Sequence, residues 1–163
     1  VPSYAGSTNA RGLRFALVVS RFNDFVTERL RSGALEALRT AGAADADVDV
    51  LSVPGAFEIP VAAHHAAESG RYQAVICLGC VIRGETPHFE YISSAVAAGI
   101  GQAATATDTP ITFGVLTTNS AEEALARAAA GPSNKGWEAA MAAVEMATLF
   151  KALRGRDQSG IRV

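Results

Sequence analysis

His88 stands directly after Thr86-Pro87, where a buried-looking apolar run gives way to a helical pattern. The surrounding stretch, Gly79 to Tyr91, reads Gly-Cys-Val-Ile-Arg-Gly-Glu-Thr-Pro-His-Phe-Glu-Tyr. It turns on Gly84 and then opens a helix. Thr86 suits the N-cap and Pro87 the first helical position. A helix N-terminus presents unpaired backbone N–H groups and a partial positive charge, so it attracts anions. A histidine beside such a site can move protons near neutral pH. Two readings stand at this point. One is an ordinary capped helix with an exposed histidine. The other is an anion cradle with an acid–base group, the outline of an enzyme acting on a phosphorylated small molecule. The helix terminus disfavours an imidazolium at His88 and a bound phosphate favours it, so its resting protonation stays open.

Other segments carry similar double readings. In Pro54-Gly55-Ala56-Phe57-Glu58, Glu58 either complements a helix dipole or holds polyol hydroxyls. Phe22 is either core or a ring that stacks on a planar heterocycle. Arg127 and Lys135 flank a turn between helices, either as solvated charges or as groups reaching a phosphate and a polar ring. Three pattern matches fail their context. Cys77-Leu78-Gly79-Cys80 lies inside an apolar strand, where positions i and i+3 face opposite ways. His64, His65 and Glu68 have no further ligand cluster and read as a solvated helix face. Gly99 to Ala104 satisfies G-x-G-x-x-A inside a helix instead of after a strand. No Walker-type phosphate loop is present.

These candidates must be positioned by alternating elements. Four β-branched apolar runs are predicted strands: Arg14–Ser20, Val48–Val53, Ala74–Ile82 and Ile111–Thr117. The first, third and fourth are continuous, as expected of strands covered on both faces. Helices are predicted over Thr27–Thr40, Phe57–Ser69, Phe89–Thr105, Ala121–Ala129 and Trp137–Leu153, with Gly42 and Gly70 closing the first two. The alternation implies an α/β fold, a parallel sheet with right-handed crossovers and helices on both faces. Ligands in such sheets bind beyond the strands' carboxyl ends, which is where the unusual residues cluster.

With 163 residues, 49% of them hydrophobic, the chain suits one domain with its own core. Residues 1–12, rich in Gly, Ser and Asn, are expected to reach over a neighbour, and residues 155–163 to form a flexible tail. A net charge of −2 offers no footprint for nucleic acid. No apolar run reaches the roughly 18–20 residues of a membrane span, and Val1 to Gly12 lacks the layout of a signal peptide. Two closely spaced cysteines fit a reducing cytoplasm.

Taken together, Ser20 to Asn23, Pro54 to Pro60 (PGAFEIP), Gly79 to Tyr91, Phe113 to Thr117, Arg127 and Asn134-Lys135-Gly136 resemble the lumazine synthase family in order and spacing. The resemblance runs from about Tyr4 to Leu153. It implies a three-layer α/β/α sandwich around a four-stranded parallel sheet in flavodoxin-like order. It also implies condensation of 5-amino-6-(D-ribitylamino)uracil with 3,4-dihydroxy-2-butanone 4-phosphate to 6,7-dimethyl-8-ribityllumazine, a step of riboflavin biosynthesis. Phe22 would stack on the pyrimidine. Ala56, Phe57 and Glu58 would hold the ribityl chain, and Cys80, Val81 and Ile82 would offer backbone groups to the pyrimidine edge. Glu85 and Thr86 would bind the phosphate with Arg127, Glu85 through its backbone N–H. His88 would transfer protons, Phe113 would come from an adjacent subunit, and Lys135 would add a polar contact. No metal or redox cofactor is expected, because every step is a proton transfer or an elimination. Family members form pentamers, and some pack twelve pentamers into a shell. The short span between Arg127 and Lys135 favours the shell here, although Pro132 is unusual in that turn. A riboflavin synthase inside such a shell is the partner the resemblance suggests. The rival readings are a non-catalytic flavin or lumazine binder, or an encapsulating shell, on the same scaffold. A signalling receiver is disfavoured, because Ser20-Arg21 and Arg83-Gly84 stand where it needs acidic residues.

Overall fold

A computed structural model describes residues 1–159. Four parallel strands, β1 (Phe15–Ser20), β2 (Val48–Val53), β3 (Ala74–Ile82) and β4 (Ile111–Thr118), lie in the order β2-β1-β3-β4. The helices are α1 (Asp24–Thr40), α2 (Ile59–Glu68), α3 (His88–Thr107), α4 (Ala121–Arg127) and α5 (Lys135–Ser159). Alternation along the central strands builds two cores. Phe15, Leu17, Val19, Ile76, Leu78 and Cys80 pack on one face with α1 and α5. Ala16, Val18, Val75 and Cys77 pack on the other with α2 and α3. This is the expected three-layer sandwich. Cys77 and Cys80 fall in different cores and both are free thiols.

β1 is buried along its whole length, and β3 from Ala74 to Cys80. β4 departs from the continuous burial expected of it. Phe113 and Thr117 are exposed and only Gly114 to Leu116 and Thr118 are buried. The order explains this, since β4 is an edge strand and parts of it lie beyond the covering helices.

Helix ends follow local chemistry. Gly42 (φ +100°) ends α1 by letting Gly42 N–H reach the Arg39 carbonyl and Ala43 N–H the Leu38 carbonyl, a paired closure available to a left-handed residue. α1 begins at Asp24, earlier than predicted, because the Asn23 carbonyl accepts from Val26 and Thr27 N–H. A 3-10 turn over Ala56–Glu58 precedes α2, so the helix proper starts at Ile59. α5 continues to Ser159. Residues 155–159 are therefore helical where a tail was expected, and residues 160–163 lie outside the described part. The N-terminal segment crosses its own α5. Ser7 N–H donates to Thr148 Oγ1 at 2.7 Å, and Arg156 lies 4.9 Å from the Tyr4 ring. Among the described residues no helix is long and apolar enough to cross a membrane, and no cluster of metal-ligating side chains occurs.

Candidate active site

The carboxyl ends of the strands do not stop level with one another. β1 pairs with β3 only as far as Val19 opposite Leu78, whereas β3 runs on to Ile82 beside β4. The β1-facing side of β3 beyond Leu78 therefore has no strand partner. Asn23 occupies part of it, donating from Nδ2 to the Cys80 carbonyl at 2.9 Å. Asn23 itself is left-handed (φ 61°), a conformation that asparagine tolerates better than most residues. Arg21 N–H donates to the Val53 carbonyl and Phe22 N–H to the Pro54 carbonyl, which draws the exits of β1 and β2 together.

A cavity of about 430 Å³ opens at this step. Phe22, Ala56, Phe57 and Glu58 line one side, and Cys80, Val81 and Ile82 form the floor along β3. Thr86 and His88 close it from α3. Ten of the residues singled out from the sequence were Phe22, Ala56, Phe57, Glu58, Cys80, Val81, Ile82, Glu85, Thr86 and His88, and of these only Glu85 is not part of the lining. Phe22 is 69% exposed and Phe57 61%. Burying such a ring is worth about 1.5–3 kcal/mol, so the two uncovered rings give the cavity mouth an apolar surface.

The first turn of α3 differs from the expected cap. The helix starts at His88, and the Pro87 carbonyl accepts from Glu90 N–H at 3.2 Å. Pro87 thus takes the cap position, one residue later than predicted for Thr86. No side chain caps the turn. The result is a helix N-terminus with no side-chain cap next to Thr86, which leaves its first N–H groups open to an acceptor. The His88 side chain is exposed and makes no hydrogen bond to other described residues. The thiols are inert by contrast. Burial pushes Cys77 up to about 12 and Cys80 up to about 11, so neither offers a thiolate nucleophile near neutral pH.

Phe113, Arg127 and Lys135 are elsewhere. They line a separate crevice of about 520 Å³ along the β4 edge. Arg127 Nη1 donates to the Glu123 carbonyl at 3.0 Å, and Lys135 Nζ to Glu138 Oε2 at 2.9 Å. Phe113 is 46% exposed. The phosphate set expected from the sequence is therefore split, with Thr86 at the first cavity and Arg127 at the second. No arginine or lysine lines the first cavity.

Sequence reasoning passed over several lining residues. Asn23, Gly55, Phe89 and Ile92 also face the first cavity, as does Gly84, which the sequence had marked as the turn of the loop. Asn23 carried a signal, being an asparagine immediately after a strand end. Ile92 carried another, four residues after His88 and so on the same helix face.

Fold and cavity together define an α/β enzyme-like domain. A planar ligand would lie at the strands' carboxyl ends, flanked by aromatic rings, an uncapped helix terminus and a histidine. The sequence model described as 6,7-dimethyl-8-ribityllumazine synthase matches residues 12–151. A protein of Syntrophus aciditrophicus (strain SB) named 6,7-dimethyl-8-ribityllumazine synthase is 53% identical over 148 residues, covering 91% of this chain and 96% of that one. The chain belongs to the 6,7-dimethyl-8-ribityllumazine synthase family.

Proposed function

We propose that this chain condenses 5-amino-6-(D-ribitylamino)uracil with 3,4-dihydroxy-2-butanone 4-phosphate to give 6,7-dimethyl-8-ribityllumazine, at a site that two copies build together. One observation carries the two-copy reading. The cavity that holds His88 and the aromatic rings has no cationic lining residue, while Arg127 and Lys135 stand beside the exposed Phe113 in a separate crevice. A phosphate dianion in the first cavity needs a cation. A neighbouring copy that lays its β4 edge across the cavity mouth supplies Phe113, Arg127 and Lys135 together. It also covers the rings of Phe22 and Phe57.

In this reading the pyrimidine stacks on Phe22 and its edge meets the unpaired side of β3 at Val81 and Ile82. Glu58, with Ala56 and Phe57, holds the ribityl hydroxyls. The phosphate lies at the start of α3, near Thr86 and the backbone of Glu85. The primary amine of the pyrimidine attacks the ketone, and water leaves to form an imine. Phosphate is then eliminated, and the ribityl-bearing nitrogen closes the second ring with loss of a further water. Holding both reactants together supplies about 7–11 kcal/mol of the barrier. His88, moving protons at the reacting nitrogens and oxygens, adds about 10²–10⁴-fold.

A copy that both gives and receives this contact joins a head-to-tail ring, which we assign as a pentamer. The seven residues between Arg127 and Lys135 lead us to a closed shell of twelve such rings, whose interior would admit a riboflavin synthase. The two free, buried thiols accord with a cytoplasmic setting.

The test is to mix both substrates with the protein and follow lumazine absorbance, beside a mass measurement. Product should form faster than without protein, and His88→Ala should leave a slowed but measurable reaction. No acceleration by the unaltered chain would refute the activity. A monomeric particle at working concentration would refute the shared site, and a particle near the mass of five chains would refute the shell.

A further inference from the structure

We infer that Arg83 is a positioning residue for the reaction, acting as a staple that joins both ends of the loop carrying the phosphate-binding segment. The inference rests on the functional reading above for what the loop binds, but its geometry is independent of that reading. The loop, residues 84–87, has little of its own to hold it. None of the hydrogen bonds among the described residues involves Gly84, Glu85 or Thr86, and a Cβ at Gly84 would meet nothing within 4 Å. Its conformation must come from its ends.

Arg83 fixes both. At the entry, its backbone N–H donates to the Thr118 carbonyl at 2.8 Å, so the residue is pinned to the end of β4. Its side chain then reaches past the loop to the exit. The guanidinium lies over the Phe89 ring, 4.5 Å from its centroid, and Nη1 donates to Glu90 Oε1. Nε donates to Asn119 Oδ1 at 2.8 Å, which orients the planar group. Asn119 N–H in turn donates to Glu123 Oε2 at 3.0 Å, so the staple is anchored through β4 to α4. Phe89 and Glu90 immediately follow His88, and Phe89 lines the cavity. One side chain therefore sets the spacing between the strand exit and the helix turn that bears His88. A planar, multi-donor guanidinium suits this task, and an ammonium does not, since it cannot stack and donate in two fixed directions at once.

Arg83 is not itself part of the cavity lining and its guanidinium meets the lining at Phe89, so its effect must be indirect. It is also about half exposed, which allows substitution without unfolding. The experiment compares the unaltered protein with Arg83→Met, Arg83→Lys and Glu90→Gln in two measurements. In amide hydrogen exchange, Arg83→Met should speed exchange selectively at Glu90 and Tyr91, whose N–H groups donate to the Pro87 carbonyl at the loop's exit, and leave β1 and β3 protected. In steady-state kinetics, Arg83→Met should raise the KM of the butanone phosphate about fivefold, the upper end for an exposed ion pair, with the pyrimidine KM within about twofold. Arg83→Lys should fall between Met and the unaltered protein, and Glu90→Gln should share the direction of Arg83→Met. Unchanged exchange at Glu90 and Tyr91 in Arg83→Met would overturn the staple. So would equal increases in both KM values, which a general loss of structure produces. If the unaltered protein forms no lumazine, the functional reading fails, and the exchange measurement still decides the role of Arg83.

Discussion

Asn134→Ala is expected to destabilise the protein far more than a turn residue normally would. Asn134 is 1% exposed and all its hydrogen-bonding capacity is engaged. Its Oδ1 accepts from Gly136 N–H at 2.7 Å and Trp137 N–H at 3.1 Å, capping α5. Its Nδ2 donates to the Ala128 carbonyl at 2.9 Å and the Arg29 carbonyl at 3.2 Å. One amide thus ties the end of α4, the middle of α1 and the start of α5. Losing a helix cap costs about 0.5–2 kcal/mol. Stranding a buried carbonyl costs about 1–3 kcal/mol. The Ala128 carbonyl faces the larger loss, since Ala128 is buried and outside a helix. The Arg29 carbonyl keeps its place in the α1 ladder. The total is about 2–5 kcal/mol, and at about 2–4 °C per kcal/mol for a chain of this size the midpoint should fall by about 10 °C. A thermal scan at fixed protein concentration measures it, since assembly makes the midpoint concentration-dependent. Asn134→Asp provides a second arm. It keeps the oxygen that accepts both cap bonds but turns its other carboxylate oxygen towards two carbonyl oxygens, so it should melt no higher than the alanine variant. Arg127 and Lys135 lie next to the two points this amide joins, so substrate binding should weaken alongside stability. A midpoint within about 2 °C of the parent for Asn134→Ala, or an aspartate variant as stable as the parent, would refute the reasoning.

Gly136→Ala should be at least as damaging, because a Cβ there would lie 2.0 Å from the Leu30 carbonyl oxygen and force α1 and α5 apart. Overpacking of this kind costs about 1–3 kcal/mol and sometimes more, and the melting midpoint or the soluble yield reads it. The two thiols should resist alkylation at pH 8 in the folded protein, since burial raises both well above that pH. Both should react promptly in urea, and fast labelling of Cys77 in the native protein would show that the core opens, whereas fast labelling of Cys80 alone would show access from the cavity floor.

Much of this was legible in the chain. β1 and β3 announced themselves as unbroken apolar runs, and a central strand covered on two faces can take no other pattern. Gly42 and Gly70 ended helices where a left-handed residue was needed. Phe22, the PGAFEIP elbow and His88 share the strands' carboxyl side by topology alone, and nine of the ten residues expected there line one cavity. Other features were invisible for a physical reason. β4 read as a covered strand because its residues are apolar, but which strand stands at an edge depends on sheet order. Thr86 read as a cap because its type and spacing suit one, but the backbone placed Pro87 there. The bonding partners of Asn134 and Arg83 could not be read from the chain, since they lie on other elements, as far as 105 residues away for Asn134.

The sequence by itself determined the alternating parallel architecture, the end of the sheet that holds the chemistry, and the family. The first two follow from periodicity and turn chemistry, which are properties of neighbouring residues, and the third from the resemblance carried by PGAFEIP, Gly79 to Tyr91 and the other matching segments. Phe113 was already expected from a neighbouring copy, but only the tertiary structure decided that Arg127 and Lys135 are set apart with it from the His88 cavity. Phe113, Arg127 and Lys135 sit on the β4 edge while His88 and Phe22 share another cavity, because the order β2-β1-β3-β4 leaves β4 at the border of the sheet. That separation arises from strand placement between distant segments, and it is what makes the neighbouring copy part of the proposed site.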